Sequence, residues 1–125
     1  MRILGLAPQL RTTDLARTIR FYTEQLGFTL EFQYEDFYAG IRAGDYTFHL
    51  KHVDAKDPSI DHVTHGGHLH LYFAVDNAAE AAEALKRNGV QLVRDVHDTA
   101  WATRELVVED DQGHTLYFGE AVSAV

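Results

Sequence analysis

The chain of 125 residues contains no cysteine, and this absence removes several kinds of chemistry at once. Disulfide bonds, thiolate metal ligands and a cysteine nucleophile are all excluded. Long apolar runs are missing too, because no stretch approaches the roughly 20 apolar residues that a membrane helix needs. Residues 1–6 also lack the apolar core of a signal peptide. We therefore expect a cytoplasmic protein with no membrane partner.

Positive charge is scarce as well. The sequence has 11 Lys and Arg against 19 Asp and Glu, which gives a formal net charge of −8. Such a balance disfavours binding to nucleic acid phosphates and to anionic lipids, so no nucleic acid partner is expected. It weakly favours a cationic ligand, although solubility alone is a sufficient reason for an acidic surface.

One pattern occurs twice along the chain, and the second copy begins 62 residues after the first. Asp14 opens a helical stretch that ends at Gly27, and Asp76 opens another that ends at Gly89, 13 residues further on in both cases. An acidic residue that caps the start and a glycine that ends the helix are the usual boundary signals. The repeat therefore indicates two copies of one structural unit.

Strand-like runs surround both helices. An apolar run precedes each helix, at residues 3–10 and 68–75, and further alternating runs follow each of them. The sequence therefore predicts an α+β fold of two tandem βαβββ modules, at residues 1–53 and 68–125, within one structural domain. Residues 54–67 are polar and interrupted by Pro and Gly, and we expect a loop that connects the modules.

Residues 13–28, TDLARTIRFYTEQLGF, carry a resemblance to a known family. They are similar to the signature D-L-x-x-[S/T]-x-x-F-Y-x-x-x-L-G-F of the vicinal-oxygen-chelate superfamily, which includes glyoxalase I, extradiol dioxygenases and bleomycin-resistance proteins. Residues 35–50 and 100–114 look most like the bleomycin-resistance proteins, although Ala100, Ala102 and Gln112 depart from their pattern. The resemblance covers residues 3–120 and implies curved mixed sheets around a concave cavity, with the helices on the convex side.

Strand periodicity indicates which side chains face that cavity. Phe48 and Leu50 should pack beneath the first helix, so that His49 points the other way. By the same alternation, the cavity side of the second module should receive the following residues: His68, His70, Tyr72 and Tyr117. Trp101 lies in a polar segment, where it is either a rim aromatic that stacks on a planar ligand or a plug over the sheet edge.

The resemblance also implies where a metal would bind. Metal-dependent members use one ligand on the first and one on the last strand of each module, usually His and Glu. These positions are Ala7, His49, His70 and Tyr117 here. Because alanine cannot bind a metal and phenolic oxygen is an uncommon ligand, fewer than the usual three protein ligands remain. No cofactor is expected, and a divalent metal at His49 and His70 is the alternative.

Histidines cluster between residues 62 and 70, at positions 62, 65, 68 and 70. A replacement ligand set drawn from His49, His52, His68 and His70 is one interpretation of this cluster. Neutral histidines at a cavity wall more often form hydrogen bonds with a ligand or the backbone, and we favour that interpretation.

The function that these features favour is metal-free sequestration of an aromatic or cationic small molecule, in the manner of the bleomycin-resistance proteins. We expect a homodimer with a shared cleft, since each curved sheet leaves an open edge, and the modules could be exchanged between chains. The alternatives are a metal-dependent lyase or dioxygenase with an altered metal shell, and a metal-independent isomerase that uses His49 and His70 near Tyr117. A sensor or accessory domain is a third possibility. No nucleophile elbow, phosphate loop or dinucleotide fingerprint is present.

Overall fold

A computed structural model describes residues 1–122, which form two compact units. Unit 1 comprises Met1–Pro58, and unit 2 begins at Ser59. Each unit contains one four-stranded mixed sheet with a helix packed against it. The predicted α+β class and the tandem βαβββ modules are confirmed. The last three residues of the predicted second module lie outside the described residues.

The sheet of unit 1 has the strand order β1-β4-β3-β2. Strands β1 and β4 run parallel, and the other neighbours are antiparallel. Its elements are β1 (Gln9–Thr12), α1 (Leu15–Arg20), a π-helical turn (Phe21–Gln25), β2 (Thr29–Tyr34), β3 (Tyr38–Ala43) and β4 (Tyr46–His52).

Local chemistry fixes the helix of unit 1. The Asp14 side chain accepts a hydrogen bond from the backbone N–H of Arg17 at 3.1 Å, which satisfies one of the unpaired donors of the first turn. Gly27 ends the helical segment with a φ of 76°, a left-handed conformation that glycine adopts at little cost. Tyr22 is fully buried and meets the Phe48 ring edge to face at 5.0 Å, so the helix covers the β4 side that carries Phe48.

Unit 2 repeats this topology, with the strand order β5-β8-β7-β6 and a parallel pair of β5 and β8. Its elements are α2 (Ser59–Gly66), β5 (Leu71–Ala74), α3 (Ala78–Arg87), β6 (Leu92–Asp98), β7 (Thr103–Glu109) and β8 (Thr115–Ala121). Among residues 1–122, no helix has both the length and the apolar character needed to cross a membrane.

Helix α3 follows the prediction closely. The sequence left Asp76 or Asn77 as its first residue, and Asn77 rather than Asp76 caps it by accepting from the Glu80 N–H at 3.0 Å. Ala78, Ala82 and Leu85 recur at helical spacing and are buried, as expected of an amphipathic helix on a sheet. Burying Leu85 contributes roughly 1.5 to 3 kcal/mol.

The prediction for the first strand was wrong. Residues 3–8 form no strand, and pairing with β4 begins at Gln9. Leu10 is buried, but Leu4 and Leu6 are 84% and 93% exposed. Alternation along a single segment shows which residues share a face, but not which of them have a partner strand. We call residues 1–8 the N-terminal arm.

Two predictions near the unit boundary were also wrong. Residues 59–66, expected to be loop, form helix α2, which buries Ile60 and places His62 and His65 on a helix. Strand β5 begins at Leu71 rather than at residue 68, so His68 does not share a strand face with His70. The polar composition of an exposed, short amphipathic helix resembles that of a loop, because only one narrow stripe is apolar.

Candidate functional site

The sheet of unit 1 has one face covered by α1 and one face turned away from it, which we call the far face of unit 1. Strand pairing places Gln9 and Gly40 on either side of His49, and places Phe32 beside Gly40. Side chains of directly paired residues lie on the same face, and Phe48 and Leu50 point to α1. His49 therefore belongs to the far face.

A short hydrogen-bond chain orients His49. The Gln9 side-chain amide donates to the Tyr38 hydroxyl oxygen at 3.0 Å, and that hydroxyl lies 3.0 Å from His49 Nδ1. Since the oxygen of Tyr38 already accepts from Gln9, its hydrogen is available for Nδ1. This contact holds the His49 ring through Nδ1 and turns Nε2 away from Tyr38.

An aromatic group surrounds His49. The Phe32 ring stacks with Tyr38 at a centroid distance of 6.3 Å and meets the His49 ring edge to face at 5.4 Å. Gly40 makes this possible, because a Cβ at that position would overlap the Phe32 ring. Sequence reasoning missed Phe32, and its signal was the glycine placed opposite it on β3.

His70 is held at both ring nitrogens in unit 2. The backbone N–H of Thr115 donates to His70 Nδ1 at 3.1 Å, and Nε2 lies 3.3 Å from Ser59 Oγ. Because a backbone N–H can only donate, Nδ1 must be an acceptor, and the neutral ring carries its proton on Nε2. His70 is thus arranged as a hydrogen-bond donor towards Ser59.

A buried acid and histidine pair lies against His70. Asp110 accepts from the backbone N–H groups of Gln112 and His114 at 2.9 Å, and its other oxygen lies 2.7 Å from His114 Nδ1. Both side chains are almost completely buried. His114 Nε2 has no hydrogen-bond partner among residues 1–122, and its ring meets His70 edge to face at 4.8 Å. The pair packs against the His70 ring through His114.

This pair was not predicted from the sequence. The spacing of four residues from Asp110 to His114 around Gly113 was the available signal. An Asp that caps a tight turn can bond to the residue that re-enters the strand.

Tyr72, Tyr117 and Glu105 form the central part of the sheet face turned away from α3, which we call the far face of unit 2. The Tyr72 hydroxyl donates to Glu105 Oε2 at 2.8 Å, and Thr103 donates to the same oxygen at 3.0 Å. Burial, followed by the Glu105 carboxylate, raises the pKa of Tyr72. The Tyr72 and Tyr117 rings are 6.3 Å apart. Arg104, the neighbour of Glu105, points the other way and pairs with Asp98 at 2.8 Å.

The two remaining candidates stand apart from these groups. Trp101 is 69% exposed in the turn between β6 and β7, and it makes no aromatic contact within residues 1–122. Ala102 beside it has a φ of 64°, a left-handed conformation that costs a residue with a Cβ roughly 1 to 2 kcal/mol. His68 is exposed and precedes β5.

Comparison with known proteins identifies the family. The model of the glyoxalase/bleomycin resistance protein/dioxygenase superfamily matches residues 3–118. The chain belongs to this superfamily. Lactoylglutathione lyase of Escherichia coli O157:H7 is 31% identical to it, with 93% of this chain and 90% of the relative covered. The corresponding lyase of Salmonella typhimurium LT2 is also 31% identical, over 99% and 96% of the two chains.

Solved structures of the superfamily share the fold at low sequence identity. The bleomycin-binding protein of Streptomyces verticillus, solved with copper(II)-bleomycin, superposes with a TM-score of 0.73 at 22% identity. That match covers 94% of this chain and 96% of the other. A superfamily protein from Alicyclobacillus acidocaldarius gives a TM-score of 0.79 at 13% identity, over 95% and 92%.

The metal that many superfamily members use does not fit the residues found here. Of the four positions implied by the resemblance, Ala7 has no donor atom and Tyr117 offers only a phenol. A histidine binds a metal through a nitrogen lone pair, but the Thr115 N–H occupies that of His70 Nδ1, and Nε2 carries hydrogen. Within the described part of either unit, no three His, Asp or Glu side chains come together as a metal-binding group.

Proposed function

We propose that this superfamily member is a metal-free binding protein that sequesters an aromatic small molecule, in the manner of an antibiotic-resistance protein. The candidate ligand contacts are His49 on the far face of unit 1 and His70, Tyr72 and Tyr117 on the far face of unit 2. Trp101 and His68 would contribute from the rim. That these residues bind the ligand stays a prediction.

One observation carries the metal-free part of this proposal: Thr115 N–H donates to His70 Nδ1. To bind a metal, the ring would have to break that bond or lose the hydrogen on Nε2. His49 is instead placed to form a hydrogen bond with a ligand beside rings that provide stacking surface, whereas His70 is held at both ring nitrogens.

We therefore expect purified, untagged protein to contain far less than one Zn, Ni, Mn or Fe ion per chain, measured by inductively coupled plasma mass spectrometry. A chelator should leave its melting temperature unchanged, because no folding energy comes from a metal. The matched positive control is the Ala7→His/Tyr117→Glu variant, which restores the superfamily's usual donors and should gain metal.

A different outcome would reject the proposal. About one metal ion per chain in the natural protein, lost in both His49→Ala and His70→Ala, would establish a metal centre. Lactoylglutathione lyase activity that disappears in the same variants would then assign the reaction.

The second candidate function is that lyase reaction, which the 31% identity to the curated lyases favours. Tyr72 and Glu105 are in hydrogen-bond contact and lie on the far face of unit 2, where proton transfer to a substrate is feasible. An isomerase that uses His49 and His70 without a metal belongs to the same group of alternatives. Turnover of a hemithioacetal substrate by metal-free protein would favour this group over sequestration.

We also propose that the protein is a homodimer in which the N-terminal arm packs on a second copy. Its large apolar side chains at positions 1, 3, 4 and 6 are all more than 70% exposed. Contiguous exposed apolar groups usually mark an interface. Beyond β1, the arm is joined to the unit 1 sheet by the hydrogen bond from His49 N to Pro8 O at 2.8 Å.

The dimer prediction can be tested by light scattering. Natural protein at micromolar concentration should show about twice the 14.1 kDa chain mass, and Leu4→Asp/Leu6→Asp should shift it to the monomer. Ala16→Asp/Ala79→Asp adds the same charge at exposed helix positions and should remain dimeric. A monomeric natural protein, or a dimer that tolerates the arm substitutions, contradicts the proposal.

A further inference from the structure

Three cations lie on the far face of unit 1 without a carboxylate partner. Strand pairing places Arg11 directly beside Lys51, and places Arg42 beside Thr47, four residues before Lys51 on β4. All three positions have the parity of His49 and therefore share its face. None of the three cations forms an ion pair within residues 1–122, although the chain has 19 acidic residues.

Arg11 and Lys51 are an unfavourable pair in the isolated sheet. Like charges that lie directly opposite each other on one face repel, and cross-strand neighbours of this kind destabilise a sheet. The Thr47 hydroxyl donates to the Glu31 carboxylate. Because Thr47 is paired with Arg42, this carboxylate lies near Arg42 rather than near Arg11. An anion placed between Arg11 and Lys51 would remove the repulsion and gain charge-assisted hydrogen bonds.

The aromatic group lies beside these cations. Tyr38 is the residue paired with Lys51 on β3, and Phe32 stacks on Tyr38. Lys51 Nζ also lies 5.9 Å from the Phe37 ring centroid, and this cation–π contact holds the ammonium group beside the Phe37 ring. A flat ring stacked on Phe32 would thus have a positively charged edge next to it.

The overall charge hides this local balance. Residues 1–58 hold 7 Lys and Arg against 8 Asp and Glu, which gives −1, whereas the remaining residues hold 4 against 11, which gives −7. Together these give the net charge of −8. The acidic character that predicts a cationic ligand therefore belongs almost entirely to unit 2, and the far face of unit 1 is locally basic.

We infer that the far face of unit 1 binds the anionic end of an aromatic acid, with the ring against Phe32 and Tyr38 and the carboxylate between Arg11 and Lys51. The inference rests on the proposed binding function and narrows its ligand to an aromatic anion. The His49 imidazole is a further hydrogen-bonding group on the same face.

Three probes of one shape and different charge test this inference on the full chain: 2-naphthoate, 2-naphthamide and 2-naphthylmethylammonium. Isothermal titration calorimetry should rank naphthoate first, about tenfold tighter than the ammonium probe. Arg11→Gln and Lys51→Gln should each weaken naphthoate by roughly three- to tenfold and leave the amide unchanged. The naphthoate affinity should also fall as salt is raised.

Arg20→Gln is the matched control, because it removes the same charge from an exposed position on α1, whose helix covers the opposite face. It should leave naphthoate binding within about twofold, the effect of a distant screened charge. Equal losses in Arg20→Gln and Arg11→Gln, tighter binding of the ammonium probe, or no naphthoate binding at millimolar concentration would each overturn the inference.

The same titrations separate this inference from the proposed function. If 2-naphthamide binds and Phe32→Ala weakens it, while Arg11→Gln and Lys51→Gln do not affect naphthoate, the aromatic site stands and the anion assignment fails. If none of the three probes binds, both fail together. Circular dichroism and melting temperature confirm that each variant is folded before it is titrated.

Discussion

Replacing Asp110 with Ala is expected to lower the free energy of unfolding by roughly 3 to 5 kcal/mol, the cost of breaking a buried charged hydrogen-bond group. The carboxylate serves the N–H groups of Gln112 and His114 and the His114 ring, and all of these lose their acceptor in the variant. Urea denaturation, followed by Trp101 fluorescence, measures the change as a shift in midpoint at a constant slope. Trp101 lies in the same unit as Asp110.

Asp45→Ala is the control for this experiment, since Asp45 occupies an exposed turn between β3 and β4. Surface substitutions of this kind usually change stability by less than about 0.5 kcal/mol. Similar losses in the two variants would show that the Asp110 hydrogen bonds are replaced by water, and that the pair does not hold the turn before β8.

Gly119→Ala is expected to cost roughly 1 to 3 kcal/mol, because the added methyl group would overlap the Tyr72 hydroxyl and ring. The ring must move, and the nearly buried Glu105 then loses the hydroxyl that donates to it at 2.8 Å. The same urea experiment measures this loss. Gly5→Ala is the control, since nothing lies within 4 Å of a Cβ at that position.

A double-mutant cycle separates the contact from general strain at Gly119. In a Tyr72→Ala background the ring is already absent, so Gly119→Ala should add less than about 0.5 kcal/mol there. An equal cost in both backgrounds would mean that Gly119 is needed for the strand itself rather than for the Tyr72 ring.

The repeated helices and most strands could be predicted from the sequence because their signals are local. Asp14 and Gly27 mark a helix by capping chemistry that acts within one turn, and Phe48 and Leu50 show a buried face by simple alternation. Strand boundaries at β1 and β5 depend on where a partner strand begins. Since that partner lies 40 residues away in unit 1 and 45 in unit 2, the local sequence does not determine it.

The groups around the candidate site were only partly accessible to sequence reasoning. Alternation along β4 and β8 predicted the sheet faces on which His49 and Tyr117 lie. The strand pairing puts both residues on those faces. The hydrogen bonds that hold the rings of His49 and His70 come from the Tyr38 hydroxyl and from the backbone of Thr115, both of which are distant in sequence. Arg11 and Lys51 could be recognised as neighbouring cations only from the parallel register of β1 and β4.

The irregular pairing at the sheet edges has a consequence for behaviour at high concentration. Strand β2 is an edge strand with all six residues exposed, and its register with β3 shifts between Leu30 and Phe32. Edge strand β6 has two such shifts in its pairing with β7. Bulges twist an edge and prevent another chain from adding a long, regular strand. The edges formed by β2 and β6 are thereby protected against fibril-like stacking of one molecule on the next.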